Sequence, residues 1–154
     1  MHATFPKLSL APEIISICVH GAPVAKGRPR LSTINGRARA FTPAKTRHYE
    51  DLIRCEAANA MGGRAPIEEC VALCVTAYVA IPKSFSRRKR QDAIDGIVRP
   101  ITRPDVDNYA KAALDGCNAI IFRDDSLVAD LIVRKRYAER PRLTITVEVG
   151  GEYA

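Results

Sequence analysis

A chain of 154 residues has room for one compact domain and little for a second core. With 47% hydrophobic and 27% charged residues it has an ordinary globular composition, and no apolar run approaches the roughly 20 residues that span a bilayer. The formal net charge of +7 bears on partners and not on fold: nucleic acid is the commonest polyanion for such an excess, with an anionic membrane surface left open on charge alone.

Residues 1–12 hold two prolines and no periodicity, so they read as a flexible leader ahead of a single domain over 13–150. The leader lacks the charged start and long apolar stretch of a signal peptide, and a cytoplasmic location is expected. EIISICVH (13–20) is short, apolar and β-branched, which predicts a strand. Gly21 to Arg39 is rich in Gly, Pro and Arg, predicting a loop or irregular hairpin. Thr42-Pro43 marks a helix start, with Thr42 as N-cap and Pro43 in the first helical position. Tyr49, Leu52, Ile53 and Ala57 continue it as an apolar stripe that ends near Gly62-Gly63.

CVALCVTAYVAIP (70–82) is apolar on both faces, which places it centrally in a sheet. SFSRRKRQDAI (84–94) is a polar helical segment. A further helix is expected from about Asn108 to Asn118, burying Ala110, Ala113, Leu114 and Cys117. Leu127, Ala129, Leu131 and Val133 alternate with more polar residues, and Arg140-Pro141 marks a turn. Leu143, Ile145, Val147 and Val149 then alternate with Thr144, Thr146 and Glu148, as in a half-buried strand. The fold class is α+β: a mixed sheet of four or five strands with two main helices.

The five cysteines are odd in number and include no C-x-x-C, which argues against a disulfide framework or a structural zinc site. Cys18, Cys70 and Cys74 lie in apolar runs and are expected to be buried thiols.

Chemistry concentrates in TRPDVDNYAKAALD (102–115) and FRDDS (122–126). Pro104 disfavours helix at Arg103, so the chain is expected to enter extended. In extended Asp105-Val106-Asp107 both carboxylates point to one side, about 6.6 Å apart, with Val106 facing the core. Carboxylates converging on one point suit a hard ion such as Mg²⁺, which keeps waters and can polarise a phosphoryl oxygen. Asp124-Asp125 is the candidate source of a third ligand, carried alongside by the strand that follows the helix. The same residues also read as a helix cap and a turn. Asp107, Lys111 and Asp115 are successive i,i+4 neighbours, so a surface salt-bridge ladder is equally open.

RPDVDNYAKAALDGCNAIIFRDDSLVADL resembles the signature of the RusA family of Holliday junction resolvases: D-x-D-N, a lysine, Leu-Asp, then a D-D pair opening a strand. GAPVAKGRPR (21–30) resembles the family's Gly-x-Pro…Lys-Gly-Arg element. FTPAKTRHYE (41–50) is similar to its first helix, and IPKSFSRRKR (81–90) to its basic Pro-Lys-Ser segment. The likeness runs over about residues 14–149. It implies Asp105, Asp107 and Asp125 as catalytic metal ligands for Mg²⁺ (or Mn²⁺), with Lys111 near the phosphate or the carboxylates. It further implies a homodimer that resolves four-way junctions by paired symmetric nicks in DNA recombination and repair. Lys26, Arg28, Arg30, Arg37 and Arg39, with Arg87, Arg88, Lys89 and Arg90, are the candidate phosphate contacts. Aromatic content of 6%, with no Trp, argues against binding by base stacking. Two other functions stay open: a non-catalytic DNA-binding module, and a metal nuclease for other branched DNA.

Overall fold

The computed structural model describes residues 11–150. Most of the expected leader lies outside the described residues, among which the first regular element is β1 (Glu13–His20). There follow β2 (Arg30–Ile34), β3 (Arg37–Phe41), α1 (Ala44–Met61) and β4 (Val71–Ala80). Then come α2 (Arg87–Ile94), α3 (Val106–Cys117), a 3₁₀ turn (Asp125–Leu127), β5 (Val128–Ala138) and β6 (Arg142–Val149). This is the expected α+β class, the described residues forming three helices, a mixed four-stranded sheet and a separate two-stranded hairpin.

The sheet order is β1-β6-β4-β5. β4 pairs antiparallel with β6 and parallel with β5, so the all-apolar strand is central, as its composition requires. The alternation in β6 works as expected: Leu143, Ile145 and Val147 are fully buried against the helices, with Leu73 and Val75 of β4 and Ile15 and Ile17 of β1. α1 and α3 pack on that one face and on each other. Their contact is closest at Gly116, where a Cβ would stand 2.4 Å from Ile53 Cγ2. Only glycine fits there.

Three local expectations need correction. Helix α1 starts one residue later than expected, because Pro43 is the cap (φ −54°, ψ 142°) and no side chain caps the end. The Gly/Arg-rich stretch contains a regular hairpin, closed by Asn35 (φ 51°) and Gly36 (φ 73°), the two positive φ values of a type I′ turn. Of the cysteines only Cys117 is buried, and burial pushes its thiol up to about 12. Cys70 precedes β4 and is exposed, whereas Cys18 and Cys74 sit half-buried on the sheet face opposite α1 and α3.

Candidate active site and nucleic-acid interface

The acidic pair sits at the N-terminal tip of α3, in a different geometry from the one expected. The chain is extended at Asp105 (φ −73°, ψ 154°), but the helix already begins at Val106, so Asp107 lies in its first turn. Val106 is 44% exposed and does not reach the core. Asp105 occupies the N-cap position without a side-chain capping bond, which leaves its carboxylate exposed and available. Lys111 Nζ donates to Asp107 Oδ2 at 3.1 Å and holds that carboxyl below its usual range. The helix dipole favours both negative charges.

This tip is braced from two sides. Lys135 of β5 donates to the carbonyls of Thr102 (2.6 Å) and Pro104 (3.0 Å), fixing the entry to Asp105. On the other side the Lys26 N–H donates to the Asn108 carbonyl at 2.9 Å. The Lys26 ammonium is hydrogen-bonded to Asp115 on α3 and lies 3.5 Å from Glu50 on α1. The hydrogen bond from Asp115 raises the Lys26 pKa above its ordinary 10.5 despite desolvation. Lys26 is therefore a strut between three elements and not an open phosphate contact. Asp115 pairs with it, not with Lys111. Gly27, next in the chain, gives its N–H to Thr46 Oγ1 at 3.1 Å, so that amide is not free for phosphate either. Sequence reasoning missed Lys135, whose only signal was a cation on the helix-facing side of a strand.

Glu50 has a side chain only 9% exposed, so removing the lysine strands a carboxylate. Lys26→Met should cost about 2 kcal/mol, read as a melting temperature lower by roughly 4–8 °C. Because the folded-state pKa is raised, this contribution is fully present below the ordinary lysine value and fades as pH rises through the folded one. Thermal melts of both proteins near neutrality and above pH 10.5 check it, the gap narrowing in alkali.

Asp124 and Asp125 divide the work of their turn. Asp124 Oδ1 accepts from the Ser126 N–H at 2.9 Å, and hydrogen bonding to Ser126 depresses its pKa. Asp125 is exposed and has no such bond. It lies, however, at the other end of α3 from Asp105. After α3 the chain pairs Phe122 with Ile67, ahead of β4, and β5 starts beside the first residue of β4. β5 then runs back along α3, and only Lys135, seven residues on, reaches Pro104. Seven strand residues rise about 23 Å, and the twelve residues of α3 span about 18 Å. Asp105 and Asp107 thus share the N-terminal tip of α3, and Asp125 is not brought to them. Among the described residues no three His, Cys, Asp or Glu side chains form a group able to hold a metal ion. Within one chain, Asp105 and Asp107 lie at one end of α3 and Asp125 at the other.

The other candidate basic residues are spread over a loop, the hairpin and α2. Arg28 is exposed in the loop after β1. On the hairpin, cross-strand register puts Arg30, Arg37 and Arg39 on one face, and all three are exposed. Ser86 caps α2 by accepting from the Lys89 N–H at 3.3 Å, which presents Arg87 and Arg88 to solvent. Lys89 stands over the Phe85 ring at 4.2 Å, and Arg90 reaches Glu139 at 3.3 Å.

An α+β sheet with an acid-tipped helix and exposed arginines has the chemistry of a nucleic-acid enzyme, and comparison with known proteins agrees. Residues 20–148 match the family Endodeoxyribonuclease RusA, and the chain belongs to it. It is also 39% identical over 137 residues to a Bacillus subtilis (strain 168) protein designated YqaN and described as uncharacterized, covering 88% of this chain and 96% of that one. No helix among the described residues is long and apolar enough to cross a membrane.

Proposed function

We propose that residues 13–150 form one cytoplasmic endonuclease domain that resolves four-way DNA junctions as a twofold homodimer, using Mg²⁺ or Mn²⁺, in recombination and repair. The observation that carries this reading is the exposed Asp105–Asp107 tip of α3, with Asp105 unengaged in capping and Asp107 kept ionised by Lys111. Family membership supplies the reaction class. Since one chain separates Asp125 from that pair, each complete site takes Asp105 and Asp107 from one protomer and Asp125 from its partner. A C2 dimer then holds two such sites, matching the two equivalent strands of a four-way junction.

A divalent ion held there would polarise the scissile phosphoryl oxygen and lower the pKa of a bound water. The chain's own side chains do the rest. Asp105 and Asp107 hold the charge in place at the helix tip, Lys111 keeps Asp107 anionic beside the incoming phosphate, and Lys26 and Lys135 fix the helix against the sheet. Arg28, the hairpin arginines and Arg87–Arg88 neutralise backbone phosphates without reading sequence. The test is cleavage of labelled four-way junctions, Y-forks and linear duplex with Mg²⁺ or Mn²⁺. Symmetric paired nicks in the junction are expected. Preferential cutting of forks would assign another branched substrate, and no cutting of any would leave a DNA-binding module.

A further inference from the structure

The four-stranded sheet has one face covered by α1 and α3; the other carries neither, and α2 flanks the sheet at β5, with Ile94 beside Tyr78 and Arg142. On a strand the side chains alternate, so register decides which residues share the open face. Thr76 and Tyr78 of β4 point there, because Val75 and Ala77 are buried under the helices. Thr76 is aligned with Arg134 of β5 and Thr144 of β6; Tyr78 is aligned with Arg136 and Arg142. Three arginines therefore occupy two adjacent rows of one face. The Arg142 guanidinium lies on the Tyr78 ring at 3.9 Å, which fixes its plane.

Each of the three gives a hydrogen bond to a neutral acceptor: Arg134 to Cys74 Sγ (3.3 Å), Arg136 to the Lys135 carbonyl (2.8 Å) and Arg142 to the Arg140 carbonyl (3.0 Å). None is in an ion pair with a carboxylate among the described residues. A guanidinium has five N–H donors, so most remain for an anion. The acids of this face, Asp130 and Glu148, are both aligned with Ala72, four to six residues down β4 from the arginine rows. At about 3.3 Å per residue that is roughly 13–20 Å away. The face is polarised, and its positive end is the end that Lys135 ties to the α3 tip. A shallow cleft lined by Tyr78, Ile94, Tyr137, Glu139, Arg140 and Arg142 opens at this corner, its carboxylate, Glu139, paired with Arg90 of α2.

We propose that this corner of the open sheet face is a second DNA-contact surface, in which Arg134, Arg136 and Arg142 bind backbone phosphates of an arm leading away from the cleavage site. The proposal rests on DNA being the substrate and extends the footprint beyond the loop, hairpin and α2. A second copy of the chain is the poorer occupant, because twofold stacking of this corner would set arginines against arginines. Phosphates neutralise them.

The test is the salt dependence of binding, measured by anisotropy on a labelled four-way junction and on linear duplex in EDTA, between about 50 and 200 mM salt. Replacing all three arginines by Gln should make the slope of log affinity against log salt shallower by about 2.7, or about 0.9 per phosphate contact. The triple Arg→Lys variant should keep the wild-type slope. Arg134→Gln alone, at an exposed side chain that leaves the Tyr78 stack intact, should lower the slope by about 0.9 and serves if the triple variant does not fold. An unchanged slope in a folded Gln variant overturns the proposal, as does loss of the dimer in sedimentation without change in slope. Nicking with Mg²⁺ is read separately: wild-type protein that binds but never cuts removes the nuclease reading while the slopes still decide this one. Wild-type protein that binds no DNA overturns both.

Discussion

Asp105→Asn is expected to lower junction nicking by more than about a hundredfold, beyond the 10–100-fold typical of losing a group that merely supports a metal ligand. Junction binding in EDTA should stay the same or tighten, since the substitution removes a negative charge from a basic surface. The argument is electrostatic. Asp105 stands at the N-cap without making a capping bond, so its carboxylate contributes little to the helix that asparagine would not also supply. Stability should therefore hold while the negative charge at the tip is lost. Asp124→Asn is the contrasting variant. Its side chain is bonded to the Ser126 N–H, a role in which asparagine also accepts, so near-normal nicking and melting temperature are expected. Single-turnover cleavage with protein in excess, beside binding titrations, separates the two results. Parallel loss of binding and cleavage in Asp105→Asn would mean that the tip is structural.

How much of this was legible beforehand varies with the range of the interaction. β1, β4 and β6 follow from period-two or continuous apolar runs, and α1 ends at Gly62 in the left-handed conformation that glycine favours. The Asn35-Gly36 turn was also written locally, but the surrounding Gly, Pro and Arg content masked it. Pairings between distant segments were not legible. Lys26 meets Asp115 across 89 positions, and only the packing of α1 on α3 turns a supposed phosphate contact into a strut. The D-x-D pair and Asp125 were identifiable as chemistry, yet the seventeen residues between them say nothing of direction. A helix followed by a parallel strand must return along its own length, which carries Asp125 away from Asp105. The arginine corner needed register as well. In sequence Arg134, Arg136 and Arg142 are ordinary members of charged stretches, and only the alignment with Thr76 and Tyr78 sets them on one face.

That return path gives the second large effect, complementation between two inactive chains. A protomer with both Asp105→Asn and Asp107→Asn lacks the helix-tip pair, and one with Asp125→Asn lacks the remote carboxylate. Each alone should form dimers with two defective sites. Co-expressed, the two chains form hybrid dimers in which one site joins the intact pair of the second chain to the intact Asp125 of the first. The other site in that dimer has none of the three. If half the dimers are hybrid and each has one of its two sites whole, about a quarter of wild-type nicking returns. Those nicks should fall on one strand per junction, without the symmetric partner cut that resolves it. Were Asp125 to serve the same protomer's site instead, every site in the mixture would keep a defect. The mixture would then be as inactive as either parent. Strand-specific end-labelling of the junction distinguishes the outcomes. Restored single nicks without resolution require the carboxylates to meet across the twofold axis.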